Sequence, residues 1–246
     1  MEQITEIRRA ANNTEVALLA SREIIDTLVV GLKSKPEVHI ALTGGSVGIL
    51  TLSTLYQQPD LERLDLSRVH FWWGDERYVE SSSSDRNAVQ AREAMLAKLS
   101  IPETNIHEFP ATDNSANLLE AKIEFLQEVR KHFGDDFPVF DLTILGMGPD
   151  GHIASLFPGH ESMASGEAVV AESNSPKPPA ERLSFSYEVL NSSSKIVFVV
   201  SGLDKAEAIT AVHTNEECNL PAAKIQAVGE TIWFIDEAAG SAFWSC

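Results

Sequence analysis

FDLTILGMGPDGH, residues 140–152, is an apolar run that stops abruptly at Gly, Pro, Asp and His. Phe140 to Gly146 is the most strand-like segment of the chain, and Pro149, Asp150 and Gly151 have the chemistry of a tight reversal. The same transition occurs three more times. VHIALT leads to Gly44-Gly45-Ser46, VHFWW to Gly74-Asp75-Glu76-Arg77, and KIVFVV to Ser201-Gly202-Leu203-Asp204-Lys205. Short apolar runs alternating with helical segments read as parallel strands, and open parallel sheets bind ligands beyond the C-terminal ends of their strands. The four clusters are therefore expected on one edge, converging on one site for a small anionic molecule.

Working outward, the order of elements is βαβα and the class is α/β. Asn13-Thr14 reads as the cap of a first helix, with Val16, Leu19, Ala20, Ile24, Leu28 and Leu32 on one face and Pro36 at its end. Strands are expected at Val38–Thr43, Ser67–Trp73, Phe140–Gly146, Ile196–Val200 and Thr231–Ile235, with a short one at Arg182–Phe185. Helical spacing marks Val47–Tyr56, Arg86–Leu99, Asn114–Phe133 and Lys205–His213. Ser81–Ser84 reads as a mobile surface loop, and Ser175–Pro179 as irregular chain. No repeat interrupts the 246 residues, which suit a single α/β domain spanning 1–246.

Composition narrows the function. Thirty-six acidic against 19 basic residues leave a net charge of -17, from which no broad basic surface can be assembled. Nucleic acid and acidic membranes are thus disfavoured as partners, whereas a phosphorylated substrate needs only a few well-placed cations. Two cysteines without metal-like spacing read as free thiols of a reducing cytoplasm. The N-terminus lacks the pattern of a signal peptide, and no run reaches the roughly 20 apolar residues of a membrane span. A cytoplasmic protein is expected, as a monomer or homodimer.

Each cluster has a plain reading beside the functional one. Gly44-Gly45-Ser46 is equally a strand-to-helix turn with Ser46 as the cap, or an anion site at a helix N-terminus. It is neither a GK[ST] loop nor GxGxxG, which disfavours a nucleotide. Asp75-Glu76-Arg77 is a solvated loop unless the flanking Trp72, Trp73 and Tyr78 bury it, in which case its charges need partners. The turn at 149–151 leaves His152 unexplained. An imidazole there, beside Gly146, Gly148 and Gly151, suits a general base near neutral pH. The other six histidines have no such setting. Lys205 at a helix start conflicts with the helix dipole unless an anion binds beside it.

LTGGS, FWWGDERYV, DLTILGMGPDGHIASLFPG, PKPPAERLS, VVSGLDKAEA, LPAAKI and TIWFIDEAA, in this order, resemble the 6-phosphogluconolactonases, which share a larger family with glucosamine-6-phosphate isomerase/deaminase. The resemblance implies a modified Rossmann-like, mostly parallel sheet flanked by helices, and hydrolysis of a 6-phosphogluconolactone without metal or organic cofactor. It further implies that His152 activates water and Asp150 orients His152. Gly44, Gly45, Ser46, Arg182 and Lys205 would hold the phosphate, with Arg77 lining the site. The related deaminases continue past the histidine with a Phe-Asn-Glu-Pro type segment, where this chain reads Ala154-Ser155-Leu156-Phe157-Pro158-Gly159 without a carboxylate. A sugar-phosphate sensor would keep the cations but need no base. No GxSxG elbow is present, so direct attack by water is expected in place of an acyl-enzyme.

Overall fold

The computed structural model describes residues 4–160 and 166–245. Six strands form one parallel sheet: β1 (Ile4–Ala10), β2 (Val38–Leu42), β3 (Val69–Trp73), β5 (Leu142–Leu145), β8 (Lys195–Val200) and β9 (Glu230–Asp236). Their order is β1-β9-β8-β5-β2-β3. Every residue of β3 and β5 is buried, and in β8 only Lys195 is less than fully buried, as expected of strands covered on both faces. Trp72 and Trp73 belong to this core.

The helices are α1 (Asn13–Ser34), α2 (Gly45–Tyr56), α3 (Asn87–Ala94), α4 (Leu118–Phe133), α5 (Tyr187–Asn191) and α6 (Ala206–Thr214). The anticipated apolar face of α1 is buried at Val16, Ala20, Ile24 and Leu28. Its cap is Asn12, not Asn13-Thr14: the Asn12 side chain accepts from the Glu15 N–H at 3.1 Å. The helix starts read from periodicity are late for α1 and α2 and early for α3, α4 and α6, because capping is decided by single hydrogen bonds and turns that spacing does not show. α4 starts only at Leu118, where the Asn117 carboxamide accepts from Leu119 and Glu120, both at 3.0 Å.

Two features depart from uninterrupted βαβα order. β1 is an edge strand, largely exposed and carrying Glu6, Arg8 and Arg9, so it lacks an apolar signature; its pairing with β9 along the full length defines it. The second is a separate antiparallel sheet of β4 (Asp75–Arg77), β7 (Arg182–Phe185) and β6 (Val169–Glu172), ordered β4-β7-β6. Strands of three or four residues are too short to show a period, so only β7 was legible. This small sheet lies over the ligand-binding edge and sets Arg77 opposite Arg182 in register.

The serine-rich turn is better anchored than its composition implies. Ser81 donates its N–H and hydroxyl to Asp113 at 2.8 and 2.6 Å, and Arg77 donates to the Asp85 carbonyl. Cys218 is free, whereas Cys246 lies outside the described residues.

Candidate active site

Residues from all four clusters line one cleft of about 310 Å³ at the C-terminal edge of the parallel sheet. Gly44 and Gly45 follow β2, Asp75 and Arg77 follow β3, Gly148 and His152 follow β5, and Lys205 follows β8. Arg182 of β7 and Lys177, on the loop before it, complete the wall.

At the base end, His152 Nδ1–H donates to Asp150 Oδ1. That assigns the lone pair to Nε2, the state a general base requires. The Lys177 ammonium stands 3.3 Å from Nδ1 and 3.6 Å from Asp150. Burial pulls the His152 pKa below its ordinary value; Asp150 opposes this and the Lys177 charge adds to it. Burial pushes Asp150 upward, but its hydrogen bond to His152 and the charges of His152 and Lys177 bring it below its usual range. The ring is also held against Phe157, centroids 4.7 Å apart. A Cβ at Gly148 would come within 2.0 Å of the imidazole and 2.5 Å of Asp150, so only glycine lets the turn fold around this pair.

The charge triplet after β3 is split three ways by strand alternation. Asp75 accepts from the Ser155 hydroxyl at 2.6 Å and lies 3.9 Å from Arg182. Glu76 points inward and caps α3, accepting from Arg77, Asn87 and Ala88 N–H groups at 2.8, 2.8 and 2.9 Å. Arg77 faces the cleft rim, and its buried Nε has no hydrogen-bond partner. Ser155 is fully buried and committed to Asp75, which leaves it no nucleophilic setting.

The other end of the cleft is built for an anion. α2 is capped by Gly44 without any side-chain acceptor, so its first N–H groups stay unsatisfied by side chains. Ser46 is not the cap; it occupies the second helical position, is exposed, and lines an adjoining cavity of about 590 Å³ together with Gly45 and Arg77. Gly45 adopts φ 77°, a left-handed conformation that permits the turn from strand into helix. Lys205 reaches the cleft with its ammonium paired to Asp204 at 2.6 Å. Arg182 is buried and largely engaged: it donates to the Lys177, Pro178 and Pro179 carbonyls at 3.1, 3.2 and 3.1 Å. It therefore braces the loop that carries Lys177 as well as lining the cleft.

The structure brings His152, Asp150, Arg182, Lys205, Gly44, Gly45 and Arg77 to one region and sets Ser46 just beyond it. Arg77 lines both the cleft that holds His152 and the adjoining cavity beside Gly45 and Ser46. Lys177 is not singled out from the sequence, and Asp75 is read there only as part of the charge triplet. Lys177 lies in an irregular Pro-rich stretch with no periodicity, and its one available signal was its place inside the PKPPAERLS motif.

A parallel sheet with a partly buried imidazole–carboxylate pair and several cations at its C-terminal edge defines an open α/β enzyme class for anionic ligands. Residues 11–233 match the family described as glucosamine-6-phosphate isomerases/6-phosphogluconolactonase, and the chain belongs to that family. It is 36% identical over 221 residues to a 6-phosphogluconolactonase from Nostoc sp., covering 89% of this chain and 90% of the relative. It is 38% identical to 6-phosphogluconolactonase 3, chloroplastic, of Arabidopsis thaliana over 85% of this chain, spanning 66% of that relative's length. The crystal structure of a 6-phosphogluconolactonase from Thermotoga maritima superposes with a TM-score of 0.83 at 26% identity, covering 94% of this chain and 99% of the other.

Proposed function

We propose that this chain hydrolyses 6-phospho-D-glucono-1,5-lactone to 6-phospho-D-gluconate, a step of the oxidative pentose phosphate pathway. The observation that carries the reading is a base, His152 oriented by Asp150, in the same cleft as a cation-rich helix N-terminus. A lactone is an activated ester, so one base, one water and stabilisation of the oxyanion suffice. His152 Nε2 takes the proton as water attacks the carbonyl, and the C–O ring bond breaks as the tetrahedral intermediate collapses. The imidazolium then returns the proton to the departing alkoxide. Lys177 is the cation nearest the base and the best-placed charge for the developing oxyanion. The phosphate binds at the α2 N-terminus with Arg77, Lys205 and Arg182, far enough along the sugar to orient it without joining the chemistry. The deaminase alternative is weakened because residues 154–159, where those enzymes carry a carboxylate, hold none, and Ser155 is buried and donates to Asp75.

The reading includes a cytoplasmic enzyme, monomeric or homodimeric, with no nucleic-acid or membrane partner. The acidic balance supports this, and no helix among the described residues is long and apolar enough to cross a membrane. The assay is acid release from freshly generated lactone, corrected for spontaneous hydrolysis, beside ammonia release from glucosamine 6-phosphate. Ammonia without lactone hydrolysis would reverse the assignment.

Anchoring and chemistry are separable. Lys205→Ala is expected to raise KM about 10–100-fold, since a charged hydrogen bond to phosphate contributes roughly 1.5–3 kcal/mol. On unphosphorylated gluconolactone the variant and wild type should be equally poor. Arg182→Ala is expected to raise KM and also lower kcat, because the Lys177 loop loses its brace. Equal damage by Lys205→Ala on both substrates would place Lys205 at the carbonyl or in the fold.

The acid limb of kcat/KM should lie below the ordinary imidazole range, because burial and Lys177 both disfavour the protonated ring. In Lys177→Met the ammonium no longer opposes protonation, so the limb should move to higher pH. An unmoved limb would show that His152 is not the titrating base.

A further inference from the structure

Four of the remaining histidines meet at the opposite end of the sheet. His39 and His70 are paired in register near the starts of β2 and β3, about 13 Å of extended strand before the cleft. His107 is held beside them by its N–H to the Phe71 carbonyl at 2.9 Å, and His132 arrives from the last turn of α4. Among the described residues, one nitrogen each from His70, His107 and His132 lies within 4.8 Å of the other two. We propose that these three imidazoles form a zinc site, independent of the lactone cleft.

The arrangement is prepared for a cation. His107 Nδ1–H donates to Glu128 at 3.0 Å, which fixes the tautomer and turns the Nε2 lone pair toward His70 Nδ1, 2.9 Å away. A carboxylate behind a ligating histidine is the usual outer support of such sites. Zinc–nitrogen bonds of about 2.0–2.1 Å at tetrahedral angles need ligand atoms about 3.3 Å apart, so the His70–His107 pair must open by only a few tenths of an ångström. Zinc replaces the proton shared by that pair. The proton displaced from His70 Nδ1 is taken up at Nε2 of the same ring, which lies 3.8 Å from Glu37, so the ring stays neutral and no net proton is lost.

The rings are also held in place. His107 stacks on Trp72 at 3.9 Å and His70 on His39 at 4.7 Å, while Trp72 Nε1 donates to His39 at 3.2 Å. Burial keeps His107 neutral down to about 4 and lowers His70 as well. His70 and His107 are buried whereas His132 is half-buried, so the third ligand lies on the solvent side of the cluster, where water would fill the fourth position of a tetrahedral zinc. Bound zinc would tie the end of α4 to the sheet edge.

The test is calorimetric titration of chelator-treated protein with zinc chloride, with melting temperature followed in parallel. Wild type should bind one equivalent and melt higher. His132→Gln should lose both effects, and Glu128→Gln should bind about 10–100-fold more weakly through loss of the outer carboxylate. His152→Gln should bind as wild type. The site is refuted if wild type takes up no zinc, or if His132→Gln binds as tightly as wild type. Loss in His152→Gln with retention in His132→Gln would move the metal to the cleft and refute it equally.

Discussion

Replacing His152 by alanine is expected to lower kcat by about 10²–10⁴, or roughly 2.7–5.4 kcal/mol of barrier, with KM little changed. No other imidazole lines the cleft among the described residues, so nothing nearby can take over the proton transfer. Asp150 is a poor substitute, because without His152 its carboxylate still faces the Lys177 ammonium 3.6 Å away. The proposed phosphate contacts lie at the α2 N-terminus and on the β4–β7 pair, apart from the base, so binding should survive the change. Melting temperature should be measured beside the kinetics. A variant with near-normal kcat and a lower melting temperature would make His152 a structural residue and remove the proposed mechanism.

Glu76→Ala is expected to cost about 3–5 kcal/mol of folding stability, the scale for removing one partner of a buried charged network. Two buried N–H groups at the start of α3, those of Asn87 and Ala88, and the N–H of Arg77 in β4 would lose their acceptor, and Arg86, whose Nε lies 3.9 Å from Glu76 and makes no hydrogen bond, would keep only Glu108 as a counter-charge. Urea unfolding should show a lower midpoint at an unchanged slope. A loss below about 1 kcal/mol, the scale of an exposed pair, would mean the network is not what holds α3. The same residue carries a pH signature. Burial raises the Glu76 pKa from 4.5 to about 7 despite the opposing Arg86 charge and backbone donors. The folded state therefore binds this proton more tightly than the unfolded chain. That stability is fully present below about 4.5 and falls as pH rises toward 7, and Glu76→Gln should remove that part of the slope.

Much of the site was legible because it is written locally. His152 and Asp150 stand two residues apart after the most apolar strand, and Gly44-Gly45 directly joins β2 to α2. Arg182 and Lys205 were recognisable through motif resemblance, yet Arg182's three carbonyl contacts depend on the path of residues 177–179 and no spacing reveals them. Ser46 was read as a cap because serine favours that position, but the φ 77° turn at Gly45 moves the helix start ahead of it. The triplet at 75–77 looked like one functional unit. Alternation along a three-residue strand sends Glu76 into the core and its neighbours toward the cleft.

The amino-acid sequence by itself determined the α/β class, the parallel strands and the glycine-rich turns at their ends, since these follow from apolar runs and φ preferences within a few neighbouring residues. It also set the scarcity of cations that makes each one at the cleft conspicuous. The tertiary structure alone decided what depends on distant segments meeting. β1 becomes a strand by pairing with β9, more than 200 residues away in the chain. The small antiparallel sheet sets Arg77 across from Arg182, and Lys177 comes within 3.3 Å of a histidine 25 residues earlier. His70, His107 and His132 are likewise scattered in the chain, and they converge because the segment at His107 is hydrogen-bonded beside β3 and the end of α4 packs at the same edge. Local preferences act over one or two turns of chain; charge pairing and ligand geometry act through space, so only the folded arrangement could specify them.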